Sequence, residues 1–356
     1  MHERPQIAVI AELPADLRTA LERDFQLIYL PLEGANAHPV TAIPSIVRAV
    51  ATRAVLGVPP GLLEALQDLG LVLSLGAGLD NIDVEALAAR HIVLAHTPDQ
   101  FTEDVADYAL GLIYAAERNI VAADRFMRSG RWAENRFANG RRVSARRVGI
   151  VGLGRIGRRL AEKCASLGMS VDYHARAPLA DCAYTYHPDV TALASACDIL
   201  VLACAVTDQT RRMITHEVLE ALGPQGIVVN IARGAVIDEE ALINALQDRT
   251  IAGAALDVFD SEPHFDPRLA HLENVILTPH AASFTFEARQ AVIDQLMDAA
   301  RTYFSSVDAS QVPIAENCDA QPVSDGNHPA LAGRASRSDS ALFRPHAQRG
   351  EGLHHA

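Results

Sequence analysis

A single lysine, Lys163, stands among the 31 basic residues of this 356-residue chain, so nearly every positive charge is an arginine. Positive charge is also in deficit, because 44 acidic residues leave a formal net charge of −13. That excess repels phosphate backbones and anionic lipid, and no cluster of basic and aromatic residues offsets it locally, so nucleic acid is not an expected partner. No stretch approaches the ~18 unbroken apolar residues of a membrane helix, so no membrane is expected as a partner either. The start, Met1-His2-Glu3-Arg4-Pro5, runs into a strand-like segment with no apolar signal region, and the chain is expected to stay in the cytoplasm. The cysteines, Cys164, Cys182, Cys197, Cys204 and Cys318, form no Cys-x-x-Cys pair and have no histidine nearby at ligand spacing. Neither a disulfide frame nor a metal site is expected, and they read as small, mostly buried apolar residues.

What is present is enough apolar sequence, 49% of residues, to bury a full core, at a length that favours two domains over one. From Gln6 to Ala95 short apolar runs, Ile7-Ala8-Val9-Ile10, Leu27-Ile28-Tyr29-Leu30, Val72-Leu73-Ser74-Leu75 and Ile92-Val93-Leu94-Ala95, alternate with helical patterns such as Ala15 to Arg23. A second series runs through Val148-Gly149-Ile150-Val151, Val171-Asp172-Tyr173, Ile199-Leu200-Val201-Leu202, Ile227-Val228-Val229 and Ala254-Ala255-Leu256. Alternation of this kind predicts parallel sheets covered by helices. A helical pattern from Glu103 to Arg128, with Thr102 as its candidate N-cap, lies between the two series. Another, Thr285 to Phe304, follows them and is able to carry the chain back to the first unit. From about Ala320 the chain is polar and aperiodic and is expected to be a disordered tail. The expected fold class is α/β, with two doubly wound, Rossmann-like parallel-sheet domains and an active-site cleft between them.

Val148 to Val151 feeds into Gly152-Leu153-Gly154-Arg155-Ile156-Gly157, and a helical run from Arg158 to Ser166 follows. The glycines suit a tight turn, close backbone approach to a pyrophosphate and close packing of helix on strand, with the helix N-terminus facing the anion. The motif alone is weak, since glycine-rich turns arise in other folds; between a strand and a helix it points to a dinucleotide. The next strand reads Val171-Asp172-Tyr173-His174-Ala175-Arg176. Arg176, just past the tip beside Ala175, suits the 2′-phosphate of NADPH; the alternative takes Asp172 as the ribose acid of NADH and Arg176 as a solvated loop residue.

Asn230-Ile231-Ala232-Arg233-Gly234, Asp257 to Pro263 and Leu277-Thr278-Pro279-His280 each follow or end a predicted strand, so all three belong at one carboxyl edge. Reduction of a 2-oxo acid needs a cation for the carboxylate and an acid for the carbonyl oxygen, tasks that fit Arg233 and His280. A carboxylate beside the imidazole fixes its tautomer and favours its protonated form, which fits Glu262. Singly, each residue has a plainer reading: a helix cap for Arg233, a solvated acid for Glu262, one structural histidine among 14 for His280. The set carries the reading.

The set resembles the D-isomer-specific 2-hydroxyacid dehydrogenase family, from Gln6 to about Phe304. Gly76-Ala77-Gly78-Leu79-Asp80-Asn81-Ile82-Asp83 matches the family's substrate loop, and Asn230 to Gly234, Asp257 to Pro263 and Thr278 to Ser283 match its catalytic segments. The resemblance implies Arg233, Glu262 and His280 as catalytic residues, and Ala77, Gly78, Arg233 and His280 as substrate contacts. It also implies cofactor contacts at Gly152 to Gly157, Ala175, Arg176, Ile231, Arg233 and Asp257, the last toward the nicotinamide carboxamide. Thr97 to Asp107, Arg128-Ser129-Gly130-Arg131-Trp132 and Ala221-Leu222-Gly223-Pro224 look most like NADPH-dependent glyoxylate, hydroxypyruvate and hydroxyphenylpyruvate reductases. By the same likeness the chain is a homodimer, residues 1–97 plus 287–318 form a flavodoxin-like substrate domain and 98–286 an NAD(P) domain; the polar tail, 320–356, is unusual for the family. Trp132 either reaches the neighbouring active site or is a plain interface aromatic. Ala145 departs from the pattern, standing where many relatives have glycine.

Overall fold

The computed structural model describes residues 4–34 and 37–306, so the tail expected from Ala320 lies outside the described residues. The chain runs β1 (Gln6–Val9), α1 (Ala15–Asp24), β2 (Gln26–Tyr29), β3 (Ala49–Arg53), α2 (Leu62–Ala65), β4 (Leu71–Leu75), α3 (Val84–Ala89) and β5 (Val93–Ala95). It continues through α4 (Thr102–Glu117) and α5 (Ile120–Arg128). The second series is β6 (Arg147–Val151), α6 (Arg155–Ser166), β7 (Ser170–His174), β8 (Thr185–His187), α7 (Val190–Ala196), β9 (Ile199–Leu202), α8 (His216–Leu222), β10 (Ile227–Asn230), α9 (Glu239–Gln247), β11 (Gly253–Leu256), β12 (Val275–Leu277) and α10 (Phe286–Ser305).

The strands form two all-parallel sheets, one ordered β2-β1-β3-β4-β5 and one ordered β12-β11-β10-β9-β6-β7-β8. Parallel strands must be joined by crossovers, which lay helices over both faces and bury the strands on both sides. That is why β9 is a fully buried run of Ile, Leu and Val, and β10 is Ile227-Val228-Val229 closed by an equally buried Asn230. In the second sheet α7, α8 and α9 cover one face and α4 and α6 the other. The chain order reverses direction at β6 in the second sheet and at β1 in the first, and such switch points open a crevice at the carboxyl edge.

α10 returns to the first sheet, as its sequence pattern allows. Val292, Leu296, Met297 and Ala300 pack with Ile7, Leu71 and Leu73, and burying each large apolar side chain contributes about 1.5–3 kcal/mol. Thr285 caps it, accepting the Ala288 amide at 3.0 Å. Arg289 anchors its start to Asp16 at 2.8 and 2.9 Å, and Gln295 Nε2 donates to the His96 carbonyl at 2.8 Å.

Two local expectations are corrected. The helical pattern from Glu103 to Arg128 breaks into α4 and α5 at Asn119, which takes a left-handed φ of 54°. Thr102 does not cap α4: Phe101 occupies the cap position, and among the described residues no side chain caps the helix and the buried Thr102 hydroxyl has no hydrogen-bond partner. Among the described residues no helix is long and apolar enough to cross a membrane.

Ala145, the residue that departs from the family pattern, has φ 80° while its amide donates to the Gly168 carbonyl at 2.9 Å. A β-carbon is strained in that region, so Ala145→Gly should raise the unfolding free energy by about 0.5–1 kcal/mol. Urea denaturation monitored by far-UV circular dichroism measures this; an unchanged or lower midpoint would mean that no strain is stored there.

Candidate active site

Strand ends place the candidate residues. The loop after β4 carries Gly76 to Asp83, the turn after β6 carries Gly152 to Gly157, and the segments after β10, β11 and β12 carry Arg233, Asp257 with Glu262, and His280.

In the glycine turn Gly152 has φ 94°, and a Cβ on it would lie 2.8 Å from the Cys204 backbone. A Cβ on Gly157 would overlap the Gly152 carbonyl, whereas one on Gly154 meets nothing within 4 Å. The first and third glycines are therefore demanded by packing, and the middle one faces space open among the described residues, where its bare backbone allows a pyrophosphate to come close. α6 starts at Arg155 with no side-chain cap, leaving its N-terminal amides free for an anion. Leu153 is buried and Ile156 packs on the core, so this turn has a fixed base. Arg155 lies on the surface, 3.1 Å from Asp99. These residues fit a dinucleotide pyrophosphate.

At the tip of β7 Ala175 is half-buried and Arg176 exposed. Asp172 sits inside the strand, and His187 Nε2 of β8 donates to its carboxylate at 3.0 Å. That pairing holds Asp172 at mid-strand, leaving Arg176 as the charged residue at the tip.

Asn230, 1% exposed, shapes the segment after β10: its Nδ2 donates to the Arg233 carbonyl and its Oδ1 accepts the Ala232 amide, both at 3.0 Å. Ile231, also buried, forms the floor. Gly234 lies so close to the Phe259 and Asp260 backbone that a Cβ would overlap it, which ties this segment to the one carrying Glu262. Arg233 crosses to the other sheet's loop. Its Nε donates to Asp80 Oδ2 at 3.2 Å, its Nη2 lies 3.2 Å from the same oxygen, and its Nη1 donates to the Ala232 carbonyl at 2.7 Å. A Cβ on Gly78 would overlap Nη2, so the absence of a side chain at Gly78 gives the guanidinium its seat beside Ala77 and Gly78.

His280 adopts φ 52°, with its amide donating to the Asp257 carbonyl at 2.8 Å. A carboxylate only accepts, so Nδ1 carries the proton in the 2.8 Å hydrogen bond to Glu262 Oε2. Nε2 makes no hydrogen bond among the described residues. Glu262 Oε1 accepts the Phe259 amide at 2.9 Å. Burial pushes the Glu262 carboxyl up, but the His280 and Phe259 hydrogen bonds and the charges of His280 and Arg233 outweigh it and hold it below its ordinary value. Glu262 is thus ionised at neutral pH. Asp257, 1% exposed, accepts the Thr278 hydroxyl at 2.6 Å and the Ala281 amide at 2.9 Å on Oδ1, and the Ala282 amide at 3.0 Å on Oδ2.

Trp132, in the short segment after α5, is 65% exposed. The roles of Asp80 and Asn230, and the turn-holding duty of Asp257, were not assigned from the sequence. The only signal for Asp80 in the sequence is its place two residues after Gly78 in the Gly76–Asp83 loop.

Residues 110–282 match the family model described as the D-isomer specific 2-hydroxyacid dehydrogenase, NAD binding domain. The chain is 38% identical over 299 residues to a glyoxylate/hydroxypyruvate reductase A of Arabidopsis thaliana, covering 84% of this chain and 96% of that one. It is 37% identical over 314 residues to a 2-ketogluconate reductase of Gluconobacter oxydans, covering 86% and 97%. Among solved structures it is similar to the NADPH-dependent glyoxylate/hydroxypyruvate reductase of Sinorhizobium meliloti in complex with NADP and malonate, with a TM-score of 0.78, 36% identity and coverage of 85% and 95%.

The geometry makes Asp257 the anchor of the His280 turn. Asp257→Ala strands the buried Ala282 amide and the half-buried Ala281 amide and Thr278 hydroxyl, and should cost about 3 kcal/mol of unfolding free energy. Urea denaturation measures it; a loss below about 1 kcal/mol, the scale of one ordinary hydrogen bond, would show that the turn holds itself.

Proposed function

The chain belongs to the D-isomer-specific 2-hydroxyacid dehydrogenases, NAD(P)-dependent oxidoreductases, and on that premise we propose that it reduces glyoxylate, hydroxypyruvate or a related small 2-oxo acid to the D-2-hydroxy acid with NADPH. The observation that carries the reading is the Glu262–His280 hydrogen bond at 2.8 Å, which leaves His280 Nε2 without a partner among the described residues, on the carboxyl edge that also carries Arg233.

When bound, the nicotinamide dinucleotide supplies the hydride. Arg233 and the amides of Ala77 and Gly78 receive the substrate carboxylate, the guanidinium offering charged donors in a planar fork. His280 donates the proton from Nε2 to the carbonyl oxygen, and Glu262, ionised, keeps the other ring nitrogen protonated and stabilises the imidazolium that precedes transfer. In the oxidative direction the same nitrogen takes the proton back. Gly152 to Gly157 hold the pyrophosphate, Ile231 lines the nicotinamide side, and Asp257 retains one acceptor site on Oδ2 for the carboxamide. Arg176, with Ala175 beside it, receives the 2′-phosphate.

We divide the work between residues 1–97 with 287–318, which present the substrate loop, and residues 98–286, which hold the cofactor; 307–318 lie outside the described residues. We take the working form to be a cytoplasmic homodimer. The support for self-association is the exposure of Ile120, Met127 and Trp132 in and just after α5, apolar surface that a partner copy would cover.

Initial rates of NADPH and NADH oxidation with glyoxylate and hydroxypyruvate test the reading. NADPH should be favoured, Arg176→Ala should remove most of that preference, and His280→Ala should lower turnover ~10²–10⁴-fold with cofactor binding little changed. Unimpaired turnover by His280→Ala would remove the assigned acid, and a preference for NADH would return the ribose role to Asp172.

A further inference from the structure

Arg233 and the substrate loop come from different sheets, yet both must meet one carboxylate. The loop is rigid in itself. Gly76 exchanges backbone and side-chain bonds with Thr97, the Gly76 carbonyl accepting the Thr97 amide at 3.1 Å and the Gly76 amide donating to its hydroxyl at 3.3 Å. Asn81 Nδ2 donates to the Val55 carbonyl at 2.8 Å, and Asp83 caps α3 by accepting the Ala86 amide at 2.8 Å. Arg233 has no such frame: beyond the Ala232 carbonyl, its guanidinium is held only by Asp80 among the described residues.

We propose that Asp80 is a positioning residue, which docks the Nε side of Arg233 onto the substrate loop so that its terminal nitrogens and the Gly78 amide face one substrate carboxylate together. The proposal rests on the function argued above. Three features support it. Asp80 uses one oxygen, Oδ2, for both Nε and Nη2, while Nη1 spends a single donor on the Ala232 carbonyl. A guanidinium has five N–H donors, so donors remain on both terminal nitrogens for an incoming carboxylate. Nη2 also lies against the bare Cα of Gly78, two residues from Asp80, which puts the remaining donors beside the loop amides. Both side chains are about one-third exposed, 38% and 33%, so the ion pair has little worth as a stabiliser of the fold. Its effect is geometric: it fixes a long, flexible side chain before substrate arrives, which removes an ordering cost from binding.

The opposite role is also definite. If Asp80 instead stood in for the substrate and had to be expelled from Arg233, removing it would tighten substrate binding. The two roles predict opposite signs.

The test compares wild type, Asp80→Ala and Asp80→Asn. Steady-state rates are read with NADPH and hydroxypyruvate. Calorimetry reads binding of oxamate, a non-reducible monocarboxylate analogue of a 2-oxo acid, to the NADPH complex, and fluorescence reads NADPH affinity. Asp80→Ala should raise KM for hydroxypyruvate and weaken oxamate roughly tenfold or more, with kcat within about threefold and NADPH affinity unchanged. Asp80→Asn, which keeps an acceptor for Nε, should recover most of the loss. A lower KM and tighter oxamate binding in Asp80→Ala would overturn the proposal in favour of a competing anion. Unchanged values, or equal losses in NADPH and oxamate affinity, would overturn it as well. The oxamate measurement does not need turnover: a wild type that binds oxamate through Asp80 but reduces nothing would sink the functional reading and leave this one standing.

Discussion

A carboxylate buried at the carboxyl edge of the second sheet must be met by donors, because an uncompensated charge there costs several kcal/mol. Asp257 is that carboxylate, and the chain after β12 folds around it: the Thr278 hydroxyl and the Ala281 and Ala282 amides all point at its oxygens. His280 is caught inside this turn, in a left-handed conformation held by its own amide on the Asp257 carbonyl. The ring is thereby delivered to Glu262, and only one ring nitrogen is left for a substrate. The chemistry at His280 therefore depends on a group that does no chemistry on the carbonyl itself.

The other half of the site depends on glycines for contrasting reasons. Gly78 and Gly234 lack side chains because the Arg233 guanidinium and the Phe259–Asp260 backbone occupy the space. Gly154 lacks one where no described residue comes within 4 Å of the space. The first pair closes the protein on itself, and the second kind of vacancy lets the turn's backbone come close to a pyrophosphate. Together they place the glycine turn, Arg233 and the Glu262–His280 pair along one carboxyl edge, opposite the Gly76–Asp83 loop of the first sheet.

Much of this was legible in the sequence, for physical reasons. Strands buried on both faces read as unbroken apolar runs, so β9, β10 and β11 stand out, and residues placed just past them fall on one edge. β8 was missed because Thr185-Tyr186-His187 is a short edge strand with one neighbour and no apolar run to betray it. The break at Asn119 was hidden because a polar residue continues a helical face as well as it ends one; only the left-handed backbone distinguishes the two. Thr102 had the right type for a cap, but the helix begins one residue too early for it. Among site residues, Arg233, Glu262 and His280 were visible as a set with complementary chemistry. Asp80 was not, because its meaning lies in a partner 153 positions away. Asp257 was visible as a site residue but not as the anchor of its neighbour's turn.

The most direct test of the central claim, that one proton on His280 moves with the hydride, is to measure kcat/KM against pH in both directions on the same enzyme. Reduction of the 2-oxo acid requires the protonated ring and oxidation of the 2-hydroxy acid the neutral one. The account predicts that reduction falls as pH rises and oxidation falls as pH drops. Profiles that move in the same direction, or a reduction rate indifferent to pH, would contradict it.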